Sequence, residues 1–310
     1  MSEILSLSDL DFGQWAEALR RRFEDNAQRA LPVGDGPLGK LCEAMRYAVL
    51  DGGKRVRALL VYGAGLLTQA PIKALDEAAL AVEYVHAYSL VHDDLPCMDN
   101  DVLRRGKPTA HVKFGEAQAM LAGDSLQPEA FERLAQSGLP DAQINALTFC
   151  LARASGLRGM CGGQMIDLSS VGQKIDIDTL RRMHELKTGA LISASVRMGA
   201  LCGNPCLYDR AKQPLEDYST ALGLAFQVVD DILDVTADTA VLGKTAGKDV
   251  AADKPTYVSL LGLDQAKALA RRCEEQALNA LDRIELCGDF EKGTCRRLRE
   301  LACYVIGRNH

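Results

Sequence analysis

Four aspartates fall within nine positions of the segment DDLPCMDND: Asp93, Asp94, Asp99 and Asp101. Arg104 and Arg105 follow at once. A second cluster, QVVDDILDV, places Asp230, Asp231 and Asp234 among Val228, Val229, Ile232, Leu233 and Val235. In a helix Asp230 and Asp234 lie one turn apart on one face, with Asp231 beside them. Like charges on an apolar helix are costly unless something compensates them. One such cluster reads as a solvated helix end. Two, each attached to an apolar helix, point to a hard cation. Carboxylate oxygens suit Mg²⁺, which keeps several waters and bridges to phosphate oxygens.

Basic groups supply the complementary half. GGKRVR gives Lys54, Arg55 and Arg57 after a glycine turn at Gly52-Gly53, and LKTGAL carries Lys187 and Thr188. LGKTAGKDVAADKP offers Lys244, Lys248 and Lys254. Each alone reads as a solvated surface charge. Together with two Mg²⁺-type clusters they describe a pocket for more than one polyphosphate, because arginine forks and lysine point charges both suit phosphate. A P-loop is excluded. DTAVLGKT ends correctly, but Asp238 stands where the first glycine belongs, and no strand precedes it. GLRGMCGGQMIDL also lacks the GxGxxG spacing.

The elements that must hold these groups read as helices. Residues 12–31, 39–54, 56–67, 71–95, 179–203, 215–238, 264–284 and 295–308 carry apolar residues at helical spacing, and alternating strand-like runs are missing. Ser8 or Asp11 caps the first, and Pro96 stops the helix before it near Leu95. Pro128 interrupts another helical pattern, by a kink or by opening a new helix. The whole, residues 1–310, is expected to be an all-α single domain. A hydrophobic content of 47% and a charged content of 25% are those of an ordinary globular protein, and a net charge of −6 argues against a nucleic-acid binder. No apolar run reaches the ~18 residues of a membrane-spanning helix, and the N-terminus lacks a secretory pattern. The ten cysteines form no CxxC pair, which suggests reduced thiols in a cytoplasmic protein without a zinc site.

In their order, GGKRVR, DDLPCMDND with LRRG, GGQMIDL, LKTGAL, FQVVDDILDV and LGKTAGKD resemble the signatures of trans-polyprenyl diphosphate synthases. The similarity runs from about residue 38 to the end and is greatest to the bacterial members that make farnesyl diphosphate. The resemblance implies a bundle of about ten or more helices around a central cavity, and a homodimer. It implies that Asp93 and Asp99, with Asp230 opposite, hold Mg²⁺, three ions once diphosphate is bound, and that Asp94, Asp231 and Asp234 complete the metal clusters. It assigns Arg104, Lys187, Thr188, Gln227, Lys244 and Lys254 to an allylic diphosphate and its reacting carbons. Gly53, Lys54, Arg57, His86 and Arg105 fall to isopentenyl diphosphate, and Tyr88 and Ser89 to product length. Lys187, Thr188 and Gln227 are the candidates nearest the chemistry, which would be head-to-tail condensation through an allylic carbocation. A geranyl or geranylgeranyl diphosphate synthase, a terpene cyclase and a non-catalytic regulatory subunit are the alternatives. A cyclase has no need of the second diphosphate site, and regulatory subunits tend to lose the aspartates.

Overall fold

A computed structural model describes residues 10–50, 52–236 and 255–307. The all-α expectation holds. The helices are α1 (Phe12–Ala30), α2 (Gly36–Val49), α3 (Val56–Leu67), α4 (Ile72–Asp93), α5 (Ala110–Phe114), α6 (Glu116–Ala135) and α7 (Asp141–Ser155). They continue with α8 (Met160–Ser170), α9 (Ile177–His184), α10 (Ala190–Leu201), α11 (Pro205–Thr236), α12 (Tyr257–Leu261), α13 (Leu263–Leu286) and α14 (Arg296–Ile306). Among the described residues the strands are β1 (Leu103–Arg104) and β2 (Lys107–Pro108), an antiparallel pair with Arg104 opposite Lys107.

Local chemistry starts and stops these helices. Asp11 caps α1: its carboxylate accepts the Gln14 N–H at 2.9 Å, and the Gln14 side chain answers the Asp11 N–H. Trp15, Leu19 and Phe23 then recur every fourth residue and are buried. α4 is apolar around nearly its whole circumference, with buried residues from Ala74 to Val91. Such a helix belongs in the middle of a bundle, and α3, α6 and α10 pack around it. One contiguous core runs from Trp15 in α1 to Ile306 in α14. No helix among the described residues is long and apolar enough to cross a membrane.

Several boundaries differ from the sequence expectation: α2 ends at Val49, five residues before the expected limit, and α11 starts at Pro205, ten residues before 215. α4 ends at Asp93, two residues early, because Asp94 already caps it with its N–H on the Leu90 carbonyl at 3.1 Å. Pro128 neither opens a helix nor ends one: α6 runs through it from Glu116 to Ala135. Proline removes the donor for the Asp124 carbonyl. Ala122, Leu126, Ala130 and Leu134 are buried at helical spacing on both sides of it, and this packing carries the helix across the break.

The turn GGKRVR is where the first helices are tied together. Arg55 sits in the left-handed region, with φ of 50°, just before α3. Its guanidinium is buried, bonds Glu24 at 2.6 and 2.9 Å, reaches Glu83 at 3.4 Å, donates to the Val49 carbonyl and stacks over the Phe23 ring. One side chain thereby joins α1, the end of α2, α3 and α4. Breaking a buried pair leaves an uncompensated charge. Arg55→Met should therefore lower unfolding stability by about 3–5 kcal/mol in a denaturant titration; a loss below about 1 kcal/mol would show that the tie is not structural.

Candidate active site

The first acidic cluster is assembled by backbone bonds. The Asp99 N–H donates to the Asp93 carbonyl at 2.8 Å, and Asn100, with φ of 51°, donates its N–H to Leu95. The segment after α4 thus folds into a tight turn that returns Asp99 toward Asp93. Burial is the main force raising the Asp93 carboxyl, to about 6. Lys187 and Arg104 pull it down, while Asp99 and Asp94 push it up. A carboxylate ending a helix also meets the negative end of the helix dipole. Asp93 is a group in want of a cation.

Asp94 already has one. Arg104 grips it through Nε at 2.9 and 3.0 Å and through Nη2 at 2.6 Å. Burial still raises the Asp94 carboxyl, against the pull of that fork. The hairpin β1–β2 aims Arg104. Its turn residues, Arg105 and Gly106, have φ of 54° and 75°, the signs that a two-residue hairpin turn of matching twist requires.

GGKRVR contributes three cations with three fates. Lys54 is exposed, with its ammonium 5.9 Å from the Tyr304 ring. Arg55 is consumed by the core. Arg57 alone lines the central cleft. Burial lowers the Arg57 pKa, Glu83 and Asp230 support its charge, and Arg105 opposes it. The Arg105 guanidinium lies against Gly52 and Gly53, which brings this loop and the hairpin side by side. His86 faces the same cleft. Burial, then Arg57, Arg105, Arg104 and Arg55, hold it far below the usual histidine range, so its imidazole is neutral. Neutral histidine among arginines leaves the local charge balance short of an anion.

Across the cleft, α9 and α10 form one rod interrupted by a π-helical turn, Glu185–Gly189. Such turns recur at functional sites because they re-aim side chains. Here the turn carries Lys187 and Thr188. Lys187 Nζ bonds Asp167 Oδ2 at 2.5 Å, and Thr188 Oγ1 donates to Gln227 Oε1 of α11 at 2.6 Å. A Cβ on Gly163 would lie 2.2 Å from the Lys187 backbone nitrogen, so only glycine lets α8 approach this turn. Sequence reasoning did not single out Asp167. The signal was there: in GGQMIDL an acid stands one helical turn beyond the glycine that makes the contact.

The cleft has a volume of about 410 Å³. Arg57, His86, Ser89, His92, Asp93, Lys187 and Thr188 form its polar lining, together with Gln164, another group the sequence reading missed. The remainder is apolar and rich in sulfur: Cys97, Met98, Met120, Met160, Cys161 and Met165, with Leu90, Leu95 and Leu168. Tyr88 closes one side, buried, with its hydroxyl 3.8 Å from Cys161 Sγ. Ser89 also lines the cleft and donates to the His86 carbonyl at 2.8 Å. A smaller hollow of about 160 Å³ between α7, α10 and α11 holds none of the candidate aspartates.

The second cluster divides. Asp230 is half-buried and acts electrostatically on Arg57, which places it beside the cleft. Asp231 and Asp234 are buried, and Asp231 Oδ2 accepts the Tyr257 N–H at 2.7 Å. Lys244, Lys248 and Lys254 lie outside the described residues. Among the described residues, no three acidic, histidine or cysteine side chains converge tightly enough to enclose an ion by themselves. That suits Mg²⁺, which takes one or two carboxylates and completes its shell with water and substrate phosphates. The donors fit it: oxygen only, facing an open cleft, with Asp93 destabilised as a lone anion.

A fold of packed helices with acidic clusters at the ends of α4 and α11, facing a cationic, otherwise apolar cleft, defines an isoprenoid-type synthase. Residues 39–286 match the polyprenyl synthetase family model, and the chain belongs to that family. It is 52% identical over 258 residues to a probable farnesyl diphosphate synthase of Bradyrhizobium diazoefficiens, covering 83% of this chain and 78% of that protein. It is 45% identical over 306 residues to farnesyl diphosphate synthase of Escherichia coli, covering 97% and 100%. The structure superposes with a TM-score of 0.82 on a geranyltransferase of Helicobacter pylori complexed with magnesium and isoprenyl diphosphate, at 33% identity and covering 96% and 97%.

The Lys187–Asp167 contact has a measurable consequence. Asp167→Ala frees the ammonium from its anchor, and misplacing a positioning charge by an ångström costs roughly 10²-fold. Turnover should fall by about 10–100-fold with little change in melting temperature. Unchanged steady-state kinetics would show that Lys187 is held by other contacts.

Proposed function

We propose that the chain is a Mg²⁺-dependent trans-prenyltransferase, built as one polyprenyl synthase domain. It condenses isopentenyl diphosphate with dimethylallyl and then geranyl diphosphate to give (2E,6E)-farnesyl diphosphate and diphosphate. The observation that carries this reading is the single cleft in which Asp93 and Lys187 meet Arg57 and His86, with Tyr88 closing its apolar part. Two cationic sets allow two diphosphates, which a cyclase does not need. Intact acidic clusters argue against a regulatory subunit.

The chemistry follows from the lining. Asp93 and Asp99 on one side and Asp230 on the other would hold Mg²⁺, which would supply the positive charge that a departing diphosphate needs. Three ions is the number the family resemblance implies. Lys187 adds a fixed positive charge on the same diphosphate, and Arg104 stands next to it on Asp94. Breaking the allylic C–O bond leaves a cation that must meet an alkene and not water. The methionine, leucine and cysteine walls exclude water and adapt to a flexible chain. The joined Thr188–Gln227 pair presents dipoles near the reacting carbons. Arg57, Arg105 and His86, with Lys54 nearby, hold isopentenyl diphosphate. Its alkene carbon forms the new C–C bond, and the departed diphosphate takes the proton.

Assembly and location follow the same reading. Val112 on α5 and Leu121 on α6 are large apolar residues left exposed outside the cleft, and a second copy of the chain is their proposed cover. The ten cysteines are free thiols, as a reducing cytoplasm requires.

Two experiments test the proposal. Turnover should vanish in excess chelator and return with Mg²⁺, and Asp93→Ala should lower it by several orders of magnitude; chelator-resistant activity would overturn the reading. Product length tests Tyr88, which lies five residues before Asp93 and so about 7–8 Å further along α4. A ring there leaves room for a ten-carbon allylic chain and stops a fifteen-carbon one. Chromatography of wild-type product should show farnesyl diphosphate, and Tyr88→Ala should shift it to geranylgeranyl diphosphate or longer with activity retained. Unchanged product length in the variant would remove Tyr88 as the floor.

A further inference from the structure

We infer that Asp231 is a positioning residue: its carboxylate holds the start of α12 and, through Tyr257, the helical rod that carries Lys187. The inference rests on the Mg²⁺-dependent reading above, and it divides work between two adjacent aspartates.

The geometry separates them. Successive residues of a helix point about 100° apart, so Asp231 cannot share the face of Asp230. Asp230 is half-buried and acts on Arg57 of the cleft. Asp231 is buried, and its Oδ2 takes the Tyr257 N–H at 2.7 Å. Tyr257 is the first residue of α12, whose N-cap Thr256 bonds the Ser259 N–H at 3.0 Å and receives the Ser259 side chain in return. The first N–H groups of a helix have no partner within it, and a carboxylate there is favoured by the helix dipole as well. Asp231 is therefore placed as a second anchor for this helix start, supplied from α11.

The anchor reaches the reaction centre through the ring. Tyr257 is buried and packs on the His184 imidazole with ring centroids 5.3 Å apart. His184 is the last residue of α9, three positions before Lys187, and burial holds it neutral, with a pKa lowered to about 4. The chain of contacts runs from Asp231 to the Tyr257 backbone, from the Tyr257 ring to His184, and from there into the π-helical turn. It fixes how far α11 stands from that turn, the same separation that the Thr188–Gln227 bond of 2.6 Å spans.

The test compares Asp231→Asn, Asp231→Ala and Asp230→Asn by Mg²⁺ titration of turnover and by melting of the metal-free protein in chelator. Asparagine keeps an oxygen that can accept the Tyr257 N–H but is a poor substitute for a carboxylate ligand. Asp231→Asn should keep its half-saturating Mg²⁺ within about twofold of wild type, while Asp230→Asn raises it about tenfold or more. Asp231→Ala should melt at least about 2 °C lower even without metal, with Asp231→Asn restoring most of the loss. Asp231→Asn matching the Mg²⁺ defect of Asp230→Asn, or Asp231→Ala melting like wild type, overturns the inference. If no variant alters the Mg²⁺ titration, the magnesium reading fails, and the melting comparison still decides whether Asp231 anchors α12.

Discussion

Negative charge held at the ends of buried helices is the constraint on which this structure depends. α4 is buried almost all round and ends at Asp93, and α11 carries its aspartates among valine, isoleucine and leucine. Carboxylates in such a setting are unstable as lone anions, as the raised Asp93 and Asp94 show. Everything nearby answers that charge: Arg104 forks onto Asp94, Lys187 acts on Asp93, and Arg57 feels Asp230. The same burial that makes the charges costly makes every compensating interaction strong, because water does not screen it.

The cations are subject to the mirror-image constraint. Burial first, and then the charges of Arg57, Arg105, Arg104 and Arg55, keep His86 neutral. Where the core supplies enough carboxylate, as Glu24 and Glu83 do for Arg55, an arginine becomes part of the frame. Where supply falls short, as around Arg57 and Arg105, burial and mutual repulsion lower the pKa. The cleft lies between a cation-poor acidic side and an anion-poor basic side. On the proposed function, a magnesium diphosphate would satisfy the first and a second diphosphate the second. Beyond the polar lining and the Tyr88 ring, the cleft wall is thioether, thiol and alkyl, which can shelter a carbocation from water.

Positioning is done by departures from regular structure. A π-helical turn presents Lys187 and Thr188, a two-residue hairpin with left-handed turn residues presents Arg104, and a left-handed Arg55 starts α3. Each departure is braced by close packing: Gly163 against the π turn, the Arg105 guanidinium against Gly52 and Gly53, and the Phe23 ring under Arg55. Strained or irregular backbone persists where the surroundings over-determine it.

The sequence by itself determined the helical class, the place of most long helices, the two acidic clusters and the oxygen-only preference for Mg²⁺. These follow from local rules: apolar period, caps, proline, and the cost of like charges on an apolar face. Residue type and spacing did not distinguish Lys54, Arg55 and Arg57, and the resemblance set apart only Arg55; the three stand within four positions of one turn and end exposed, buried and cleft-lining. The sequence did not reveal Asp167, whose partner lies twenty residues on, or that Pro128 leaves α6 unbroken. Only the tertiary structure decided these, because a side chain's role there is set by which distant helix faces it and how deeply it is buried, and neither is encoded within a few residues of chain.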